Sequence, residues 1–177
     1  GEPAWLSFAD QALTRDLEEC VEADDGSLQV RDGAVRTLPY AGIGSAGILL
    51  VAEQLARHRP DAVACESLPG LRESCRGEFV IHPGLLYGRC GLALALGMDP
   101  DPAQPIREAI DLHLARLAWY AVPFKGGLAF PGNQLLRLSM DVKTGSAGIL
   151  LALAALLDGK EALPFLGSTP SPQTTGR

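Results

Sequence analysis

The chain is 177 residues long, 47% hydrophobic and 20% charged, with a formal net charge of −6. That length supports one domain with a true core, and the acidic balance with scattered Lys and Arg excludes a basic face for nucleic acid or an anionic membrane. Four cysteines (Cys20, Cys65, Cys75, Cys90), none in a Cys-x-x-Cys pair, exclude a disulfide scaffold.

No signal peptide is legible. The longest apolar runs, such as Ile149 to Leu157, are too short to span a bilayer, so a cytoplasmic protein is expected. The chain begins with Gly rather than Met and reads as a piece of something longer. In chain order, Trp5, Phe8, Ala9, Ala12, Leu13, Leu17, Cys20 and Val21 recur at helical spacing and predict an amphipathic helix over 3–23, broken by Asp25-Gly26. Leu28 to Leu38 reads as a hairpin around Arg31-Asp32-Gly33, flanked by Val30 and Val35. A helix from about Ser45 to His58 stops at Pro60, and a helical segment over 61–76 is interrupted near Pro69-Gly70.

The next unit opens at Pro83-Gly84, carries a helix from about Arg89 to Met98 and turns through Asp99-Pro100-Asp101-Pro102. It returns over Pro105 to Tyr120, with Ile106, Ile110, Leu114 and Leu117 on one face. Val122 to Phe130 predicts a second hairpin, around Lys125-Gly126-Gly127. A last helix runs from about Ser146 to Leu157. After Leu166 the Ser, Thr, Pro and Gly content predicts a disordered tail over 167–177.

Gly-Ser-Ala-Gly-Ile-Leu-Leu occurs twice, as Gly44 to Leu50 and as Gly145 to Leu151, and Gly88 to Leu94 is a weaker third copy. All three reduce to Gly-x-x-Gly before an apolar run, which is internal repetition. The periods are 44 and 57, and the longer gap holds the Val122 to Phe130 hairpin. In each unit the helix after the glycines is apolar nearly all round, so it belongs inside, and its amphipathic partner belongs outside. The fold class expected is all-α, an α/α toroid of helix pairs with Gly-x-x-Gly inner helices, incomplete and carrying small β-hairpin insertions.

Gly42 to Gly47 also matches Gly-x-Gly-x-x-Gly, a dinucleotide fingerprint, but Thr37 to Tyr40 is a poor preceding strand and the other copies lack the leading glycine. Two readings of the glycines stay open. Gly44, Gly47, Gly88, Gly91, Gly145 and Gly148 permit unusual dihedrals and close packing; or their first-turn N–H groups face a common centre and form a positive rim for substrate.

Phe130 to Asp141 before the last inner helix, Leu38 to Gly47, and Phe79 to Leu85 together resemble LanC-like cyclase domains, most closely the C-terminal part of class III lanthipeptide synthetases. The resemblance covers about residues 25 to 167. It implies a toroid of seven units, of which this chain carries roughly the last three in a domain over 1–166. It also implies addition of a Cys thiol of a ribosomal precursor peptide to a dehydro residue, giving lanthionine or labionin. The implied partners are that precursor and the upstream kinase and lyase domains of the same polypeptide, with no nucleic acid and no membrane. Zinc-dependent relatives place Cys two positions before one Gly-x-x-Gly and Cys-His immediately before the next. Here those places hold Gly42, and Leu86 with Tyr87, so no metal is expected, as in class III cyclases.

Without zinc, thiol addition needs a base, a cation or proximity, then a proton for the enolate. The candidates are His82 as general base, Tyr87 as proton donor, and Arg89 as holder of an enolate or phosphate. Asp141 and Lys143 also stand at an inner helix start. Each has a plainer reading: a turn residue (His82), a space-filler (Tyr87), a solvent-facing cation (Arg89), and a mutual pair or helix cap (Asp141, Lys143). Cys90 reads as a small core residue, and His58 and His113 lie at exposed-looking helix ends without a role. A non-catalytic scaffold for precursor or kinase is the second reading; a glycan-processing toroid ranks last, because it needs paired carboxylates and only Asp141 is present.

Overall fold

The computed structural model describes residues 3–34, 36–160 and 163. Val35 and the tail expected over 167–177 lie outside the described residues. Six helices dominate: α1 (Pro3–Glu18), α2 (Ser45–Ala56), α3 (Leu68–Cys75), α4 (Arg89–Leu96), α5 (Gln104–Leu117) and α6 (Ser146–Asp158). Five short strands form two antiparallel sheets, one ordered β1 (Cys20–Glu22), β2 (Leu28–Asp32), β3 (Arg36–Leu38), and a hairpin of β4 (Val122–Phe124) and β5 (Gly127–Ala129). The chain is thus mainly helical with small β insertions, as its patterning implies. No helix among the described residues is long and apolar enough to cross a membrane.

Boundaries differ from expectation in places with clear local causes. The first helix stops at Glu18, because Cys20 to Glu22 pairs with Leu28 to Val30 as an added strand. Pro69 does not interrupt a helix. It sits in the first turn of α3, where no intrahelical N–H bond is lost, after a 3-10 turn over Val63–Ser67. The β4–β5 hairpin turns on Lys125 and Gly126, both left-handed (φ 49 and 80), as a two-residue turn between twisted strands requires.

The three glycine-started helices stand in sequence order: α4 packs against α2 on one side and α6 on the other, while α3 lies against α2 and α5 against α4. Every residue of α4 is buried. The two flanking inner helices are not covered all round: Val51 of α2 and Leu150, Leu151 and Leu157 of α6 are exposed. Beneath them, Arg72 bridges two buried carboxylates, Glu53 of α2 at 2.6 Å and Asp99 after α4 at 3.1 Å. Burial raises the Glu53 pKa, opposed by the Arg72 charge. At the other edge Asp10 of α1 accepts from the Ala64 N–H at 3.0 Å, fastening α1 to the 3-10 turn.

The repeats share one construction down to single atoms. A Cβ placed on Gly44, Gly88 or Gly145 would meet the carbonyl oxygen of Leu38, His82 or Ser139, in each case six residues upstream and closer than 3.0 Å. The second glycines repeat the relation: Gly47 to Ala41, Gly91 to Leu85, Gly148 to Val142. The reason for glycine is this close approach and not unusual dihedrals, because Gly44 and Gly88 are plainly extended (φ −158 and −177). Successive units are stitched by one rule as well. The Gly42 N–H donates to the Leu86 carbonyl at 2.7 Å, and the Leu86 N–H donates to the Lys143 carbonyl at 2.9 Å. These are the residues two before Gly44, Gly88 and Gly145.

Candidate functional site

The stitched loops at the helix starts enclose a cleft of about 380 Å³, lined by Tyr40, His82, Tyr87, Asn133, Asp141, Lys143 and Thr144. Each loop contributes, because the inter-unit bonds set the loops side by side. Tyr40 and Tyr87, from neighbouring units, hold their rings 6.4 Å apart at 46°. The Lys143 ammonium stands 4.6 Å from the Tyr87 ring centroid, a cation–π contact. Lys143 makes no ion pair among the described residues, so the expected pairing with Asp141 does not form.

Asp141 serves its own loop. Its carboxylate accepts from the Ser139 hydroxyl at 2.5 Å, the Thr144 N–H at 2.6 Å and the Thr144 hydroxyl at 3.0 Å. The Ser139 bond first, then the Thr144 N–H, lower its pKa to about 2. It therefore stays ionised, with its oxygens committed to its own loop, and shares the cleft with the Lys143 ammonium.

Of the three candidate catalytic residues, the structure brings His82 and Tyr87 together on the cleft and places Arg89 elsewhere. Arg89 is 2% exposed, and its guanidinium donates to the Val80 and Glu78 carbonyls (3.0 and 3.2 Å) and to His113 Nδ1 at 3.0 Å. The solvent-facing reading of Arg89 is corrected by this burial. Its role follows from the repeat: Ser45 and Ser146, at the same position, accept from the N–H groups of Val30 and Phe130. All three residues fasten the inner helix start to the segment before it.

His113 is the residue that sequence reading missed. It is fully buried, not at an exposed end, because α5 turns Ile106, Ala109, His113 and Leu117 toward the core. Its Nε2 lies 2.9 Å from the Cys75 carbonyl, so Nε2 carries the proton and Nδ1 accepts from Arg89. Burial lowers its pKa to about 4. The signal was available in the spacing: His113 is seven residues from Ile106 and four from Leu117, within the apolar stripe.

Several first-turn N–H groups beside the six glycines are taken by upstream carbonyls, Ala46 by Pro39 (3.0 Å), Arg89 by His82 (2.9 Å), Cys90 by Pro83 (3.2 Å) and Ser146 by Ser139 (2.8 Å). Gly44, Gly88, Gly91, Gly145 and Gly148 are buried and Gly47 is half-buried; Gly44 and Gly47 border a separate groove of about 420 Å³ with Ala9, Leu13 and Val51. Cys90 is buried on α4 and donates weakly to the Ile149 carbonyl, and burial pushes its thiol up to about 12, which makes it an inert core group.

Gly42 and Leu86 carry no donor atom, and among the described residues no three His, Cys, Asp or Glu side chains gather as a ligand set. No family model matches the chain. Over 175 residues, 98% of its length, it is 40% identical to the "Probable SapB synthase" of Streptomyces coelicolor, and it spans 18% of that protein. In sequence, therefore, the chain is a relative of one part of a much longer synthase.

Proposed function

We propose that the chain is part of the cyclase region of a lanthipeptide synthetase, which adds a Cys thiol of a ribosomal precursor peptide to dehydroalanine or dehydrobutyrine without zinc. The observation that carries it is the cleft of Tyr40, His82, Tyr87 and Lys143 at the meeting point of three repeated helix starts. The motifs that resemble LanC-like domains and the likeness to a synthase support it. In this reading His82 takes the thiol proton, sulfur bonds to the β-carbon, and the C=C electron pair moves to an enolate. Tyr87 then protonates the α-carbon and regains a proton from His82, directly or through solvent, so the net change is addition of S–H across C=C. The kinase and lyase regions that supply the dehydro residue belong to the same cytoplasmic polypeptide.

An incomplete α/α toroid is the architecture proposed, and the stitching rule supports it. Ala41 packs 3.0 Å from the Cβ position of Gly91, and Leu85 packs 2.9 Å from that of Gly148, yet Gly47 meets only its own loop and faces the groove. The Gly42 carbonyl and the Lys143 N–H, which would extend the relay in each direction, have no partner among the described residues. Further units would fill these places and cover Val51, Leu150 and Leu151. The chain alone is therefore expected to self-associate, with sedimentation velocity showing species larger than a monomer at micromolar concentration. A sharp monomer peak would argue against missing neighbours.

The full-length polypeptide is the right material for the functional test. With dehydrated, Cys-containing precursor, His82→Gln is expected to slow ring formation about a hundredfold and Tyr87→Phe about tenfold, with precursor affinity unchanged. Rings formed at the wild-type rate and stereochemistry by both variants would favour a non-catalytic scaffold. That second reading has its own observation, an outer groove of about 620 Å³ where Phe79, Ile81, Trp119 and Leu135 are exposed.

A further inference from the structure

The geometry points to Lys143 as the residue that stabilises the substrate thiolate, in a site that no sequence motif assigns to it. This inference rests on the thiol-addition reading of the cleft and deepens it. Thiol addition needs a sulfur anion at neutral pH, although a free thiol ionises near 8.5 and only a small fraction is then thiolate. A fixed cation beside the sulfur favours the ionised form by direct Coulomb attraction. Two other basic groups of the same unit are already committed. Arg89 is sealed against carbonyls and His113, and Arg116 pairs with Glu78 at 2.8 Å.

Lys143 is different on each count. Its ammonium forms no ion pair among the described residues, and the nearest-sequence carboxylate, Asp141, accepts from Ser139 and Thr144. Its backbone is pinned by the Leu86 N–H at 2.9 Å, and its side chain is laid over the Tyr87 ring. A lysine held over an aromatic face keeps its charge while giving up little solvent, so it remains able to face an incoming anion. Position and charge therefore coincide on the cleft wall, where the Asp141 carboxylate, the other charge of the cleft, is tied to Ser139 and Thr144 and forms no ion pair with Lys143 among the described residues. In the reaction, the thiol proton leaves to His82, the sulfur lone pair attacks the β-carbon, and Lys143 stays protonated throughout. It stabilises the thiolate before attack, and no electron or group passes to it.

The titratable groups on the cleft are Tyr40, His82, Tyr87, Asp141 and Lys143, so a pH profile must separate them. The full-length polypeptide is first mixed with precursor whose serines are intact, which cannot cyclise, and the precursor Cys is alkylated with iodoacetamide across pH 5.5–9.5. Wild type and Lys143→Arg are expected to lower the alkylation midpoint of the bound peptide by about one pH unit relative to free peptide. Lys143→Gln is expected to return it to the free value while binding the peptide equally. With dehydrated precursor, the acid limb of the cyclisation rate should move up by about the same amount in Lys143→Gln, with about a tenfold loss at pH 6.5. Equal alkylation midpoints for wild type and Lys143→Gln, or a rate loss with an unmoved acid limb, would overturn the role of Lys143. Failure of the wild type to cyclise dehydrated precursor would instead overturn the thiol-addition reading, and the alkylation result would still decide whether Lys143 holds a thiolate.

Discussion

Gly148→Ala should destabilise the chain by about 3 kcal/mol, although alanine is the better helix former by about 1 kcal/mol. The added methyl would fall on the Val142 carbonyl, closer than 3.0 Å, and lie 2.9 Å from Leu85 Cβ. Neither neighbour can yield cheaply. Val142 belongs to the loop held by the Asp141 carboxylate, and Leu85 is fully buried beside Leu86, whose N–H stitches the units. The same loss is expected for Gly91→Ala, against Leu85 and Ala41. Gly77→Ala is the control, because only the Ser74 oxygen, at 3.9 Å, lies near its Cβ position. Denaturant midpoints, taken at a concentration where one species sediments, should fall for the first two and stay within about 0.5 kcal/mol for the third. Equal midpoints for all three would mean that the glycines are not there for close packing.

The pattern of these glycines was legible because repetition survives in single letters. Gly-x-x-Gly recurs wherever a loop carbonyl crosses a helix start, and no other residue leaves room for it. Helix type was legible too, since α4 is apolar on every side and every side is covered. What the letters did not carry was direction. Arg89 follows Gly88 as Ser45 follows Gly44, yet a serine accepting an N–H and an arginine donating to a carbonyl do the same fastening with opposite polarity. Chemistry read from residue type alone pointed Arg89 at a substrate. Likewise Lys143 reads as a cap, and only the Leu86 N–H to Lys143 carbonyl bond, made between residues 57 positions apart, lays it over Tyr87. His82 and Tyr87 were within reach of sequence reasoning because both sit in the loop that precedes a recognisable helix start.

The Arg89–His113 relay should make stability depend on pH in a window set by the imidazole. His113 donates from Nε2 to Cys75 and accepts at Nδ1 from Arg89, so a second proton on Nδ1 would face a guanidinium inside the core. Burial first, and the Arg89 charge among the lesser causes, hold its pKa near 4, against 6.5 for the free side chain. The unfolded chain therefore binds the proton more readily, and the contribution of His113 is complete above about pH 6.5 and drains away as pH falls toward 4. A gap of that size is worth about 3 kcal/mol. Two carboxylates move differently: Glu53, with its raised pKa, favours the folded state as it takes up a proton, and Asp141 begins to matter only below about pH 4. The difference between wild type and His113→Gln isolates the histidine, since Gln keeps a donor for Cys75 and does not titrate. Wild type should lose about 2 to 3 kcal/mol more than His113→Gln between pH 7 and 4.5. Arg89→Ala should cost about 3 kcal/mol at pH 7, by stripping Nδ1 of its donor and opening a cavity behind Val80, while leaving most of the pH slope in place because burial is its larger cause. A wild-type slope no steeper than that of His113→Gln would show that this imidazole does not sit neutral between Cys75 and Arg89.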